Sequence, residues 1–272
     1  PAGEPGIESR TEAPGGQTPG WSPEALLRRK PFDECSAADL AAMERLLTRL
    51  ASKLATHRSR RLVPAPARGA ADLRRSYRHA VGTGGEFLTL ARRARAIEKP
   101  RLVVLCDTSG SMDSHSRFLL AFVLSLTRAA RRTEVFAFNT SLVRLTPWIS
   151  PQRIGPTLDR LAAGVPDWSG GTRIGECLAE FVERYQEAIV SSHTVVLIFS
   201  DGLDRGDTAL LASAMRSIRS KAKKVIWLNP LLSDARYEPT ARGMKAALPF
   251  VDLFLSAHNL ESLERLLPEL AA

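Results

Sequence analysis

From residue 100 onward the chain alternates short, uniformly apolar runs with stretches of helical period, and this alternation limits the fold more than any other feature. The apolar runs are LVVLCD (102–107), EVFAFN (134–139), TVVLIFSD (194–201), KVIWLNP (224–230) and FVDLFLS (250–256). A strand that is apolar at every position, rather than every second one, is buried on both faces, as in a parallel sheet covered by helices. Helical spacing occupies 116–131, 172–189, 208–222, 237–248 and 260–270, and 151–163 reads as a helix or broken helix. LVRLTP (142–147) alternates and follows EVFAFN closely, so it reads as an antiparallel edge strand. The expected fold is α/β: a doubly wound, mostly parallel sheet flanked by helices, in the manner of a Rossmann-like domain.

Three segments are expected: a flexible leader over 1–31, a helical and basic N-terminal extension over 32–99, and the α/β domain over 100–272. Residues 1–23 are rich in Pro, Gly and small polar residues and cannot bury enough apolar surface to order themselves. SAADLAAMERLLTRLASKLAT (36–56) differs. Ser36 is placed to cap a helix, with Asp39 at capping-box spacing. Leu40, Met43, Leu47, Leu50 and Leu54 then form one apolar stripe. A lone amphipathic helix is marginal in water, so the stripe must dock, first of all on the rest of this chain. Between 57 and 101 Arg and Lys far outnumber the acidic Asp72, Glu86 and Glu98, and turn residues interrupt the stretch. It reads as an arm with short helical pieces.

The net charge of +9 favours acidic partners, whether nucleic acid, a membrane surface or an acidic protein, and an Arg-rich solvated face explains it equally well. Nucleic-acid binding through the 58–101 arm is a rival function. Tyr77 and Phe87 are its sole aromatics, which leaves few platforms for stacking bases. Cys35, Cys106 and Cys177 are odd in number and far apart, so a reducing, cytoplasmic setting without a disulfide framework is expected. No apolar run is long enough to span a bilayer, and the first residues lack a signal pattern.

In such sheets ligands bind beyond the carboxyl ends of the strands. Three polar clusters fall at that edge: DTSGSM (107–112) after the first strand, WSGGT (168–172) before a long helix, and SDG (200–202) ending TVVLIFSD. Asp107, Ser109 and Ser111 set three oxygens on alternate residues of one loop. Thr172 adds a hydroxyl and Asp201 a second carboxylate. Gly110 and the Gly170–Gly171 pair let the backbone approach closely. Oxygen donors without Cys or His select one hard divalent cation, Mg²⁺ first and Mn²⁺ or Ca²⁺ as alternatives, over zinc. Two carboxylates leave little excess charge on the ion, so an open coordination position would attract an acidic residue of a partner. A D-x-S-x-S run alone is what a plain turn also uses. The specificity lies in three clusters, each at its own strand or helix end, in this order.

Other residues are weaker candidates. Strand alternation turns Cys106 away from Asp107 into the core, and Cys177 lies in a helix as a core residue. The five His residues have no ligand spacing. Asp204 and Asp207 read as a solvated loop, and Trp168 either lines the rim or packs under it. An enzyme using Asp107 as a phosphoryl acceptor would want a further carboxylate two residues on, where Ser109 stands. There is no G-x-x-x-x-G-K-[ST] loop and no nucleophile elbow, so no catalytic residue is expected.

LVVLCDTSGSM, SGGT and IFSDG resemble the metal-ion-dependent adhesion site of von Willebrand factor A (VWA) domains. The resemblance implies that Ser109, Ser111 and Thr172 ligate the ion, and that Asp107 and Asp201 act directly or through water. Within that family the chain is most similar to the CoxE-like branch, through RRSYRHAVGTGGEFLTLARRAR, FAFNTSLVRLTP and WSGGTRIGECL, from about residue 32 to the end. Membership would imply an adaptor for a MoxR-type AAA+ ATPase in the maturation of a client metalloenzyme, such as aerobic carbon monoxide dehydrogenase. A stand-alone metal-dependent binding protein is the simpler alternative.

Overall fold

A computed structural model describes residues 22–36, 38–39, 42–43, 45–49, 58–65, 68–82, 84, 90–97, 101–130, 132–149, 171–233 and 236–271. In chain order the helices are α1 (Pro23–Arg29), α2 (Leu73–Gly82), α3 (Asp113–Ala129), α4 (Ile174–Phe181), α5 (Thr208–Lys221), α6 (Arg242–Ala247) and α7 (Leu260–Ala271). The strands are β1 (Arg58–Ala65), β2 (Ala70–Ala71), β3 (Arg92–Ile97), β4 (Arg101–Asp107), β5 (Arg132–Phe138), β6 (Leu142–Arg144), β7 (Thr194–Phe199), β8 (Lys224–Asn229) and β9 (Leu253–Ser256).

Strands β4 to β9 form one sheet in the order β6-β5-β4-β7-β8-β9. All pair in parallel except β6, which runs antiparallel along β5 as its position after EVFAFN leads one to expect. The helical stretch beginning at Ile174 widens into a π-helical turn at Val182–Gln186 and closes with Glu187–Ile189. The helix anticipated over 237–248 shortens to Arg242–Ala247, and Tyr237 instead accepts a hydrogen bond at its hydroxyl from Asn229 Nδ2 (2.9 Å). The helix anticipated over 151–163 lies outside the described residues.

The alternation of β4 divides the core into two layers. Leu102, Val104 and Cys106 meet Phe118, Phe122 and Leu126 of α3 and Leu263 and Leu266 of α7. Val103 and Leu105 meet Ile174, Leu178 and Phe181 of α4 and Leu211, Met215 and Ile218 of α5. The first layer also takes in Phe32, Met43, Leu46 and Leu47, with Phe32 stacked on Phe118 at 5.0 Å between ring centroids. The apolar stripe of the N-terminal helical segment therefore docks on this chain. Leu40, Leu50 and Leu54 of that stripe lie outside the described residues. The capping box forms: Asp39 N–H donates to Ser36 Oγ (3.2 Å), and Ser36 N–H donates to Asp39 Oδ2 (2.8 Å). Ahead of it, Arg28 and Arg29 of α1 pair with Glu264 and Glu261 of α7, and Phe32 N–H donates to His258 O (2.8 Å).

The basic arm is richer in structure than its composition leads one to expect. Around α2, the strands β1, β3 and β2 form a separate antiparallel sheet in that order. RRARAI has the period of a strand, but its alternate positions are Arg and Ala, so hydropathy gives little contrast. Among the described residues, no helix is long and apolar enough to cross a membrane.

Candidate metal centre

The chain leaves β4 for β5 and β6 on one side of the sheet, then returns to place β7 on the other side of β4. The strand order thus reverses between β4 and β7, the position beyond whose carboxyl ends sheets of this type bind ligands. Asp107 is the last residue of β4, and Ser200 and Asp201 follow β7. All three are buried, as are Thr108, Ser109 and Thr172. The two carboxylates so distant in sequence reach the same rim because β4 and β7 are hydrogen-bonded neighbours, Cys106 pairing with Phe199.

Hydrogen bonds fix the Asp107 carboxylate at both oxygens. Oδ1 accepts from Ser109 N–H (2.9 Å), and Oδ2 accepts from Ser200 Oγ (2.6 Å). Ser200 Oγ also accepts from Gly202 N–H (3.0 Å), and Ser200 O accepts from Trp227 Nε1 (2.8 Å). Asp201 Oδ1 accepts from Leu203 N–H (2.9 Å), and its backbone O accepts from Asn229 Nδ2 (3.2 Å). The loop after β4 is closed by Thr108 N–H to Phe138 O (2.9 Å) and Met112 N–H to Ser109 O (2.8 Å), with Ser111 in the turn Gly110–Met112.

Thr172 arrives from the other side. Its carbonyl accepts from Arg205 N–H (3.0 Å), which binds the segment preceding α4 to the loop after β7. Gly171 has φ +69°, a left-handed conformation that favours glycine at this position of SGGT. Trp168 and Gly170 lie outside the described residues.

Burial pushes the Asp107 pKa up to about 6. The bonds from Ser200 and Ser109 oppose that rise, and the neighbouring charge of Asp201 adds to it. Two buried carboxylates on adjacent strand ends, edged with hydroxyls, make a donor set that suits a hard divalent cation. Asp107, Ser109, Thr172 and Asp201 thus occupy one rim with Ser111 on the same loop. Among the described residues there is no cluster of three or more His, Cys, Asp or Glu, so a metal here would depend on hydroxyl donors.

Residues outside that set resolve clearly. Cys106 and Cys177 are buried thiols pushed up to about 12, chiefly by burial, in opposite core layers. Asp204 and Asp207 do more than line a solvated loop. Asp204 Oδ1 accepts from Ile174 N–H and Gly206 N–H (both 2.9 Å), and Asp207 Oδ1 caps α5 through Ala209 N–H (2.8 Å). The sequence places Ser200 in the SDG cluster without giving it a role of its own, and gives Asn229 none. Both are polar residues ending otherwise apolar strands, and that position was the available signal.

The fold and rim define a doubly wound α/β domain with an oxygen-lined site at its topological switch point. The family model of VWA domain containing CoxE-like proteins matches residues 43–263, and the chain belongs to that family. Solved structures resemble part of it. Proximal thread matrix protein 1 from the mussel byssus is 14% identical with a TM-score of 0.44, over 64% of this chain and 47% of that one, so the chain spans about half its length. Another structure of that mussel protein, with a zinc-occupied MIDAS motif, is 16% identical with a TM-score of 0.42, over 64% of this chain and 47% of that one. An aerotolerance-related membrane protein from Bacteroides fragilis is 16% identical with a TM-score of 0.41, over 63% of this chain and 98% of that one. No curated protein matches the chain significantly.

Proposed function

We propose that this chain is a non-catalytic, metal-dependent protein-binding protein that holds one divalent cation, Mg²⁺ in the first place, through Asp107, Ser109, Ser111, Thr172 and Asp201. The observation that carries the reading is the pair of buried carboxylates, Asp107 and Asp201, at adjacent strand ends beside Ser109 and Thr172. When bound, the ion supplies an open coordination position for an acidic side chain of a partner. The chain's own residues prepare that position. Ser200 and the Ser109 N–H orient Asp107, the Leu203 N–H orients Asp201, and the Arg205 N–H holds the Thr172 backbone against the loop.

Family membership supports a finer reading. The partner would be a MoxR-type AAA+ ATPase, and the chain would link it to a client metalloenzyme under maturation, such as aerobic carbon monoxide dehydrogenase. The sequence has no phosphate-binding loop of its own, so remodelling energy would come from the partner.

Calorimetric titration of Mg²⁺ and Mn²⁺ into the full chain tests the metal. One site is expected, lost in Asp107→Ala and Asp201→Ala while circular dichroism stays unchanged. Absence of any metal-dependent heat at millimolar Mg²⁺ overturns the reading. Reconstitution with the MoxR-type ATPase tests the partnership. Complex formation should be lost in the Ser109→Ala, Ser111→Ala double variant, which avoids confusion with the Mg²⁺ that ATP hydrolysis itself requires.

A further inference from the structure

Helix α2 leaves an apolar row uncovered. Leu73, Tyr77 and Val81 stand four residues apart, hence on one stripe, and are 71%, 65% and 63% exposed. The adjoining face is already in use: Ser76 and Ala80 are buried, and Ser76 Oγ accepts from Ala91 N–H (2.9 Å). A parallel row one position on carries Arg74 and Arg78. Among the described residues no carboxylate pairs with Arg74, Arg75 or Arg78. The nearby Asp72 spends its carboxylate on the helix N-terminus, where Oδ1 accepts from Arg75 N–H (3.1 Å). A cleft of about 540 Å³ at this helix is lined by Asp72, Arg74, Arg75, Arg78 and His79. A ten-residue helix thus presents, together, large apolar side chains and arginines with which no described carboxylate pairs.

We infer that α2 is a second docking surface, distinct from the rim of the main sheet, and that it takes an acidic, amphipathic segment of a partner protein. The apolar row asks for aliphatic or aromatic side chains at helical or alternate spacing, and the arginines ask for carboxylates beside them. Nucleic acid would engage the arginines and could stack on Tyr77 but would leave Leu73 and Val81 in water. An anionic bilayer would need the whole apolar side of the helix, and Ser76 and Ala80 on that side are packed against the chain itself. Such a contact needs no metal, so it stands or falls separately from the site at Asp107.

Fluorescence anisotropy on the full chain, in the presence of chelator, tests it. The probe is a labelled helical peptide with leucines at i, i+4 spacing and glutamates elsewhere. The comparisons are the same composition with the leucines scrambled, a random-sequence single-stranded RNA, and phosphatidylserine–phosphatidylcholine vesicles. The patterned peptide is expected to bind in chelator and to bind better than the scrambled one. Tyr77→Ala with Val81→Ala should weaken it by about tenfold. Arg74→Glu with Arg78→Glu should weaken it similarly and restore binding to a peptide carrying lysines in place of glutamates. No binding by the patterned peptide, equal binding by the scrambled one, or tighter binding by RNA or vesicles overturns the inference. The scrambled-peptide comparison uses the unaltered chain, so it decides even if a variant folds poorly.

Discussion

Ser200 does for Asp107 what a bound water does in a more open site. Its hydroxyl donates to Oδ2 at 2.6 Å and accepts from the Gly202 N–H, in a place with no solvent exposure. Ser200→Ala leaves a carboxylate oxygen and an amide each one bond short, which costs about 2 kcal/mol. A urea melt of the full chain checks this, and a loss below about 0.5 kcal/mol would mean the site relaxes around the missing hydroxyl. Glu134 supplies a pH test at the same scale. Burial raises its pKa, but hydrogen bonds from Arg144, Thr146 and Arg132 outweigh that and hold it below its ordinary 4.5. A depressed carboxylate contributes stability above its unfolded-state value and loses it as pH falls through the folded one. Melting temperature followed downward from pH 5 should therefore fall less steeply in Glu134→Gln than in the wild type, and parallel curves would remove Glu134 from the acid response.

At the level of elements, the rim depends on how closely α4 and α5 lie. Gly175, in the first turn of α4, sits so near the start of α5 that a Cβ would be 2.7 Å from Asp207 O and 3.1 Å from Leu211 N. Both neighbours are backbone atoms in a capped helix start and cannot swing aside. Alanine gains about 1 kcal/mol of helix propensity over glycine. Forced separation of packed elements costs roughly 1–3 kcal/mol, so Gly175→Ala should be net destabilising. A thermal melt that rises instead would show that α4 shifts freely. Because Thr172 precedes α4 by two residues, the same variant should weaken Mn²⁺ binding while leaving the carboxylates in place.

For the whole molecule, the N-terminal segment and the α/β domain share one core. Leu47 is fully buried in the layer formed with α3 and α7. Leu47→Ala should cost about 3 kcal/mol, as core truncations of leucine do. It should lower the melting temperature of a single cooperative transition. If the variant instead melted in two steps, the segment would be an independent unit resting on the domain.

Much of this was legible in the sequence because period and position are local properties. Runs such as LVVLCD and TVVLIFSD declare strands buried on both faces, and the polar residues that end them declare the rim. That Asp107 and Asp201 stand at strand ends on one edge could be read before any fold was known, since a sheet of this type exposes its strand ends there. Other features depended on contacts between distant residues. Ser200 and Asn229 matter through hydrogen bonds that reach across strands, and no local pattern separates them from other strand-end polar residues. Asp204 and Asp207 read as loop acids until the packing of α4 and α5 gave them helix starts to cap. The strands of the basic arm stayed hidden because Arg and Ala alternate with little hydrophobic contrast, so pairing partners rather than propensity decided them. The sequence by itself determined which side chains meet the core and which end the strands. Tertiary structure alone decided which of those ends are neighbours, because strand order is set by long-range pairing that leaves no trace in local spacing.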